Sequence, residues 1–270
     1  MISIDAVTKR YGTKTAVSDL TLDISAGQIF AFLGPNGAGK TTTIKMLVGL
    51  LRPTVGALHI NGINVELQPQ DANRLVGYVP DEPYLYDKLT GREFLEFTAG
   101  MYGLTKEQFR QNAEVQIEQF ELAPFVDQLC ESYSHGMKQR VVFASAMIHE
   151  PKILIVDEPM VGLDPRSMRS VKDLLRRVAD AGAAVFMSTH TLTVAEEIAD
   201  RIGVITHGVL RFEGTVSDLR ATTQAHDGSS LESLFLAMTA EDQPQEGSSG
   251  KANGANLNAA DAQGERQVSP

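Results

Sequence analysis

The sequence predicts an α/β fold with three parts: a parallel sheet flanked by helices, an antiparallel β subdomain and an inserted α-helical subdomain. Around residues 28–48 and 152–187, short apolar strands alternate with helical segments, which is typical of a parallel core. Asn61-Gly62 between two short apolar segments indicates an antiparallel hairpin, and residues of about 88–150 have helical periodicity. We expect these parts to form one domain over residues 1–225.

The first strands are predicted from the alternation of apolar and polar residues. Ile2, Ile4 and Ala6 are expected on one face of the first strand. Residues 20–25 repeat this pattern, with three apolar residues separated by polar ones. Because such alternation buries one face and exposes the other, we expect antiparallel pairing in this part of the chain.

The later elements begin at residues with recognisable roles. Thr90–Glu93 matches a capping box, which starts the helical insert. Residues 152–157 read as a buried strand, and Asp164-Pro165 starts the next helix with proline at its first position. Residues 183–187 and a hairpin at 203–212 add further strands.

The C-terminal part is expected to differ from the domain. Ser229–Glu232 starts a short helix, which we place at 226–240. Residues 241–270 contain no aromatic residue and few large aliphatic ones. Such a segment buries too little apolar surface to offset the entropy lost on ordering, so we expect a disordered tail.

Composition argues against several classes of protein. The net charge of −10 at pH 7 disfavours a nucleic-acid-binding surface, which needs basic residues. Cys130 is the only cysteine, so no intrachain disulfide forms, and a reducing compartment fits. No apolar run approaches the roughly 18–20 residues that cross a bilayer, and residues 1–5 lack the pattern of a secretory signal. We expect a cytoplasmic protein whose role at a membrane depends on a partner.

The segment Gly34–Thr41 matches the phosphate-loop pattern G-x-x-x-x-G-K-[ST] at every fixed position. It lies between a predicted strand and a predicted helix, so backbone N–H groups and the helix dipole point toward an anion. This predicts a P-loop NTPase core in which Lys40 reaches the β- and γ-phosphates and the Thr41 hydroxyl binds Mg²⁺. The loop residues expected to bind the nucleotide are Gly34, Pro35, Asn36, Gly37, Ala38, Gly39, Lys40, Thr41 and Thr42.

Two acidic residues, Asp157 and Glu158, lie at the end of the apolar strand predicted at 152–157. The carboxyl end of a parallel strand lies at the sheet edge beside the phosphate loop. Asp157 is therefore expected to hold Mg²⁺, and Glu158 to act as general base toward an attacking water. Paired acids after a strand can also cap a turn, but the upstream phosphate loop favours the catalytic interpretation.

The segment Tyr133–Arg140 points to a known family. With this segment the chain resembles the ATP-binding subunits of ABC transporters, whose Leu-Ser-Gly-Gly-Gln signature is followed by a basic-Gln-Arg run. Ser134 and Gly136 keep the two positions that, in the family, contact the γ-phosphate bound by the opposite subunit. The departures from the consensus are Tyr133, His135 and Met137.

Three more segments are similar to motifs of this family. Gly162–Pro165 resembles the D-loop, which implies a nucleotide contact for Asp164. His190 resembles the switch histidine, which senses the γ-phosphate and takes part in catalysis. Lys9–Gly12 resembles the aromatic loop and implies that Tyr11 stacks on adenine, although a tyrosine between two strands can also be structural.

The main departure from the family is Asp81, at a position where glutamine is usual. An acid there occurs in export-type subunits and implies a contact to the Mg²⁺ shell. By resemblance, the coupling helix of a transmembrane subunit docks on the segment that follows, 83–90. Exposed tyrosine and leucine side chains would suit such an anchor, and ordinary packing of Leu85 and Leu89 is an equal alternative.

The resemblance covers residues of about 1–240 and implies the ATP-hydrolysing subunit of an export-type ABC transporter, with ATP and Mg²⁺ as its ligands. It also implies a separate transmembrane permease that holds the protein on the inner face of the membrane. A second ATP-binding domain would pair head to tail, so that the loop of Lys40 faces Ser134 and Gly136. Two alternatives stay open: a soluble ABC ATPase that acts as a mechanical switch in a cytosolic assembly such as cofactor assembly, and a regulatory subunit with little turnover.

Overall fold

The computed structural model describes residues 1–224. The helix expected at 226–240 and the tail expected at 241–270 lie outside the described residues. Within the described part, two sheets and eight α-helices form the α/β architecture that the alternation of strands and helices predicts. No helix in this part is long and apolar enough to cross a membrane.

The elements of the described part follow in chain order. The strands are β1 (Ile2–Tyr11), β2 (Lys14–Ile24), β3 (Ile29–Leu33), β4 (Val55–Ile60), β5 (Ile63–Asn64), β6 (Val76–Val79), β7 (Ile153–Val156), β8 (Ala184–Thr189), β9 (Arg201–Thr206) and β10 (Val209–Gly214). The helices are α1 (Lys40–Leu47), α2 (Pro69–Asn73), α3 (Gly91–Met101), α4 (Lys106–Gln119), α5 (His135–Met147), α6 (Pro165–Asp180), α7 (Leu192–Ile198) and α8 (Val216–Gln224).

Four strands form an antiparallel sheet in the order β2-β1-β4-β5. Asn61-Gly62 joins β4 to β5, and both residues have positive φ, 51° and 82°. Two left-handed residues are what a type I′ turn needs, and its twist matches that of the flanking strands. The hairpin predicted from these two residues is therefore confirmed.

The strand β1 departs from the predicted alternation after Ile4. Ile2 and Ile4 are buried as expected, but Ala6 has a φ of 47° and is exposed. The register with β2 shifts at this point, and Val7 enters the core instead. The prediction for Ala6 is wrong because a β-bulge inserts an extra residue and breaks the two-residue period.

The second sheet has the strand order β10-β9-β3-β8-β7-β6. The neighbouring strands from β9 to β6 are parallel, and β10 is antiparallel to β9. The carboxyl ends of the parallel strands therefore lie along one edge, which is where open α/β sheets bind their ligands. The phosphate loop follows β3, and the two acids follow β7.

Apolar side chains cover both faces of the parallel sheet. One face packs on the antiparallel sheet and α1, and at its centre the Phe186 ring lies 5.9 Å from Phe30 and 5.4 Å from Phe32. The other face packs on α3 to α7. The helices α3, α4 and α5 lie between β6 and β7 in the chain, and the capping box predicted for Thr90 and Glu93 is present at the start of α3.

Candidate functional site

The phosphate loop connects β3 to α1, and two of its glycines have no room for a side chain. A Cβ on Gly34 would lie 2.3 Å from the carbonyl oxygen of Ile205. Gly39 has a φ of 114°, and a Cβ there would lie 2.6 Å from the carbonyl oxygen of Ala16. The loop is therefore wedged between β2 and β9, which fixes its backbone N–H groups at the start of α1.

Lys40 is the first residue of α1 and is 6% exposed. Its Nζ donates to the carbonyl oxygens of Gly34 (2.7 Å) and Pro35 (3.3 Å), so the side chain curls back across the loop. The same Nζ lies 3.2 Å from Glu158 Oε1. The ammonium charge is thus held within the loop and is paired with the acid after β7.

Asp157 follows β7 and is completely buried. Its Oδ1 accepts a hydrogen bond from Ser188 Oγ (2.5 Å), whereas Oδ2 has no hydrogen-bond partner among the described residues. Burial raises the pKa of Asp157, and the nearby charges of Asp81 and Glu158 act in the same direction. The side chains of Ser188 and Thr41 lower this pKa, but the net direction is upward.

The oxygen atoms around Asp157 fit Mg²⁺. The unpartnered Oδ2 offers a buried acceptor, and Thr41 and Asp81 are close enough to influence the Asp157 carboxyl group. Within residues 1–224, no group of three His, Cys, Asp or Glu side chains could hold a metal ion. Mg²⁺ is usually bound by one or two carboxylates together with substrate phosphates rather than by an all-protein cage.

Glu158 turns the chain away from β7 with a φ of 47°. Its carboxylate lies between two side chains: Oε1 is 3.2 Å from Lys40 Nζ, and Oε2 is 2.9 Å from His190 Nδ1. Glu158 is 15% exposed and His190 is 49% exposed. The structure therefore brings together the two residues that the sequence predicts to be catalytic.

Two polar residues that the sequence-based prediction missed support this turn. The Ser188 hydroxyl accepts a hydrogen bond from the Glu158 backbone N–H (2.9 Å), in addition to its contact with Asp157. Gln139 Nε2 donates to the carbonyl oxygen of Pro159 (2.7 Å). A signal for Ser188 was present in the sequence, because it is a polar residue within the apolar strand that leads to His190.

The signature-like residues lie along a different surface of the chain. Ser134 is the exposed N-cap of α5, where its Oγ accepts from the Met137 N–H, and Gly136 has open space around it. Asp164 is the N-cap of α6, and its hydrogen bonds to Ser167 lower its pKa. Ser134, Gly136 and Asp164 line one cavity of about 590 Å³, whose lining contains no residue of the phosphate loop among the described residues.

Tyr11 ends β1 and is 47% exposed, with Lys9 Nζ 5.2 Å from its ring centroid. It pairs with Lys14 across the turn to β2. Ala16, two residues further along β2, has its carbonyl oxygen against Gly39 of the phosphate loop. Tyr11 therefore lies at the turn that joins β1 to β2, the strand that borders the loop.

These features define a P-loop nucleoside triphosphatase: a glycine-rich loop with a buried lysine after β3, and an acid pair after β7 of the same parallel sheet, with β8 between the two strands. The family model for ABC transporters matches residues 17–161. The chain is 34% identical over 242 residues to the ABC-type transporter ATP-binding protein EcsA of Bacillus subtilis, covering 90% of this chain and 98% of EcsA.

Two further similarities agree with the match to ABC transporters. The chain is 38% identical over 212 residues to the SkfA peptide export ATP-binding protein SkfE of Bacillus subtilis, covering 78% of this chain and 87% of SkfE. It also resembles a dimeric post-hydrolysis structure of the ATP-binding cassette MJ0796 bound to ADP and Pi, with a TM-score of 0.73, 26% identity and coverage of 80% and 99%. The chain belongs to the ABC transporter family and is an ATPase.

Proposed function

We propose that this protein is the ATP-hydrolysing subunit of an ABC transporter, which powers export through a separate transmembrane subunit. The main support for ATP hydrolysis is the position of the Glu158 carboxylate, which lies between Lys40 and His190 and beside the buried Asp157. Export is supported by the similarity to SkfE, whose name describes a peptide export protein.

In the proposed reaction, the phosphate loop binds ATP and the Lys40 ammonium moves from Glu158 to the β- and γ-phosphate oxygens. This frees Glu158 Oε1 to accept a proton from a water molecule, while His190 keeps the other carboxylate oxygen in place. The water oxygen then bonds to the γ-phosphorus, and the bond from this phosphorus to the β–γ bridging oxygen breaks, which leaves ADP and phosphate. Thr41, Asp157 and Asp81 are the residues that would hold Mg²⁺, which would supply charge that neutralises the phosphates.

Pairing with a second ATP-binding domain is part of the proposal. Ser134 is exposed, Gly136 is open, and both lie on a surface whose cavity contains no phosphate-loop residue among those described. In a head-to-tail pair, identical or paralogous, they would contact the γ-phosphate held by Lys40 of the other domain. ATP would then favour the closed pair, since it binds this state better than the open one. In each site, Tyr11 would stack on the adenine ring, and Asp164 would line the interface.

An exposed aromatic cluster suits the transmembrane partner. Tyr84 is 72% exposed and its ring lies 5.8 Å from Tyr86, whose ring in turn lies 5.5 Å from Phe97. Leu85 between the two tyrosines is buried and packs in the core. We infer that Tyr84, Tyr86 and Phe97 form the docking surface for the permease, which would keep the protein at the cytoplasmic face of the membrane.

Co-purification with a membrane protein tests the proposal. The tagged Glu158→Gln protein would be isolated from its own cells in mild detergent with ATP, and Tyr86→Ala would be compared in the same background. We expect a multi-span membrane protein in near-stoichiometric amount and less of it with Tyr86→Ala. Recovery of soluble partners alone, with the protein absent from membranes, would overturn the transporter proposal in favour of a cytosolic assembly ATPase.

A further inference from the structure

The hydroxyl group of Ser188 joins the two acidic residues of the site, and we propose that Ser188 is a positioning residue for ATP hydrolysis. Its Oγ donates to Asp157 Oδ1 (2.5 Å) and accepts from the Glu158 backbone N–H (2.9 Å). The Ser188 side chain is completely buried, so water does not compete for these bonds. The inference rests on the proposed function, because Ser188 would act through Glu158.

The sheet places Ser188 where β7 ends. Val156 pairs with Met187 in the parallel ladder between β7 and β8, so Asp157 and Ser188 directly follow the last pair. Glu158 then adopts its left-handed backbone, a conformation that the surroundings must hold for a residue other than glycine. The contact from the Glu158 N–H to the Ser188 hydroxyl is one of the bonds that hold it.

One hydroxyl group can make both hydrogen bonds, to Asp157 and from Glu158, because it is a donor and an acceptor at once. Alanine would leave the Glu158 N–H without its acceptor and remove the donor to Asp157 Oδ1. The Glu158 backbone could then relax, and its carboxylate would no longer be aimed between Lys40 and His190. Threonine keeps a hydroxyl at the same position and suits a β-strand, so it should preserve the function.

Steady-state hydrolysis by the full chain tests the proposal. We expect Ser188→Ala to lower kcat by roughly 10–100-fold, with the KM for ATP within about twofold of the parental value, because a small misplacement of a reacting group is costly. Ser188→Thr should restore kcat to within about threefold. The matched control is Ser145→Ala, since Ser145 is also buried and its hydroxyl donates to the Val142 carbonyl oxygen, away from the acid pair. This control should stay within about twofold of the parental kcat.

Ser188→Ala in the Glu158→Gln background distinguishes a positioning role from a loss of activity through general structural damage. If Ser188 acts through Glu158, Ser188→Ala should change the residual rate there by less than about twofold. An equal loss in both backgrounds, a kcat like that of Ser145→Ala, or a higher KM with unchanged kcat would overturn the inference. A parental rate for Glu158→Gln itself would instead refute the proposed function. If Ser188→Ala does not fold, Ser188→Cys replaces it and must fall below the parental kcat.

Discussion

Removal of the Tyr133 hydroxyl should destabilise the protein, because this one group connects two backbone segments of the helical insert, the start of α3 and residues 125–128. It accepts a hydrogen bond from the Gly91 N–H (3.0 Å) and lies 2.9 Å from the Phe125 carbonyl oxygen and 3.1 Å from that of Gln128. Tyr133 is 6% exposed. Phenylalanine would keep the edge-to-face contact with the Phe125 ring but would leave the Gly91 N–H without this partner.

The size of the effect follows from that buried donor. Leaving a buried hydrogen-bonding group unpaired costs about 1–3 kcal/mol. In a protein of this size, each kcal/mol lowers Tm by roughly 2–4 °C, so Tyr133→Phe should unfold about 2–12 °C below the parental protein. Thermal unfolding followed by circular dichroism without nucleotide measures this.

Tyr84→Phe is the control for Tyr133→Phe. The Tyr84 side chain is 72% exposed, so its substitution should move Tm by less than about 1 °C. A Tyr133→Phe protein that unfolds at the parental temperature would refute the hydrogen-bonding argument. Such a result would mean that the Tyr133 ring, and not its hydroxyl group, supplies the contribution of this residue to stability.

Three further predictions concern binding, metal and pH. Lys40→Ala should weaken ATP binding itself, which a titration with a fluorescent ATP analogue detects. Lys45→Ala is the control and should bind like the parental protein. Unchanged affinity in Lys40→Ala would contradict the role of Lys40. Asp157→Asn, or chelation of Mg²⁺, should suppress phosphate release while the same titration still detects bound nucleotide; undiminished release would exclude this metal site. Burial lowers the pKa of His149 to about 4, although its hydrogen bond to the Val76 carbonyl opposes this. Because the unfolded state therefore binds this proton first, the free energy of unfolding should be highest above pH 6.5 and fall by at most about 3 kcal/mol as the pH drops from 6.5 to 4. Urea unfolding at several pH values measures this. The same pH dependence in His149→Asn would point to another group.

Local patterns predicted the parts of the site that local chemistry determines. The phosphate loop needs glycine where a Cβ would strike β2 or β9, and lysine where the helix begins, so a short pattern identifies it. The hairpin at Asn61-Gly62 and the capping box at Thr90 are local in the same sense. Continuously apolar segments that alternate with helical ones similarly predicted the parallel core, because strands that are buried on both faces carry apolar residues throughout.

Features that depend on distant contacts could not be predicted in this way. The bulge that exposes Ala6 arises from pairing between β1 and its neighbours, which alternation within one strand does not encode. Ser188 lies 31 residues from Asp157, and their contact follows from the sheet order. Likewise, Leu85 is buried and its neighbour Tyr84 is exposed because Leu85 packs in the core, which is a tertiary contact. The roles of Ser134, Gly136 and Asp164 at a paired site remain predictions.

The central claim is that Glu158 is the general base for ATP hydrolysis, and its most direct test is phosphate release by Glu158→Gln together with an ATP-binding titration. Glutamine keeps the shape of the side chain but cannot accept the proton from water. The matched control is Glu107→Gln, which removes an exposed carboxylate paired with Arg110 in the helical insert.

For Glu158→Gln we predict a loss of roughly 10²–10⁴-fold in turnover with ATP binding retained. Glu107→Gln should hydrolyse ATP at the parental rate. Turnover by Glu158→Gln at the parental rate would contradict the account.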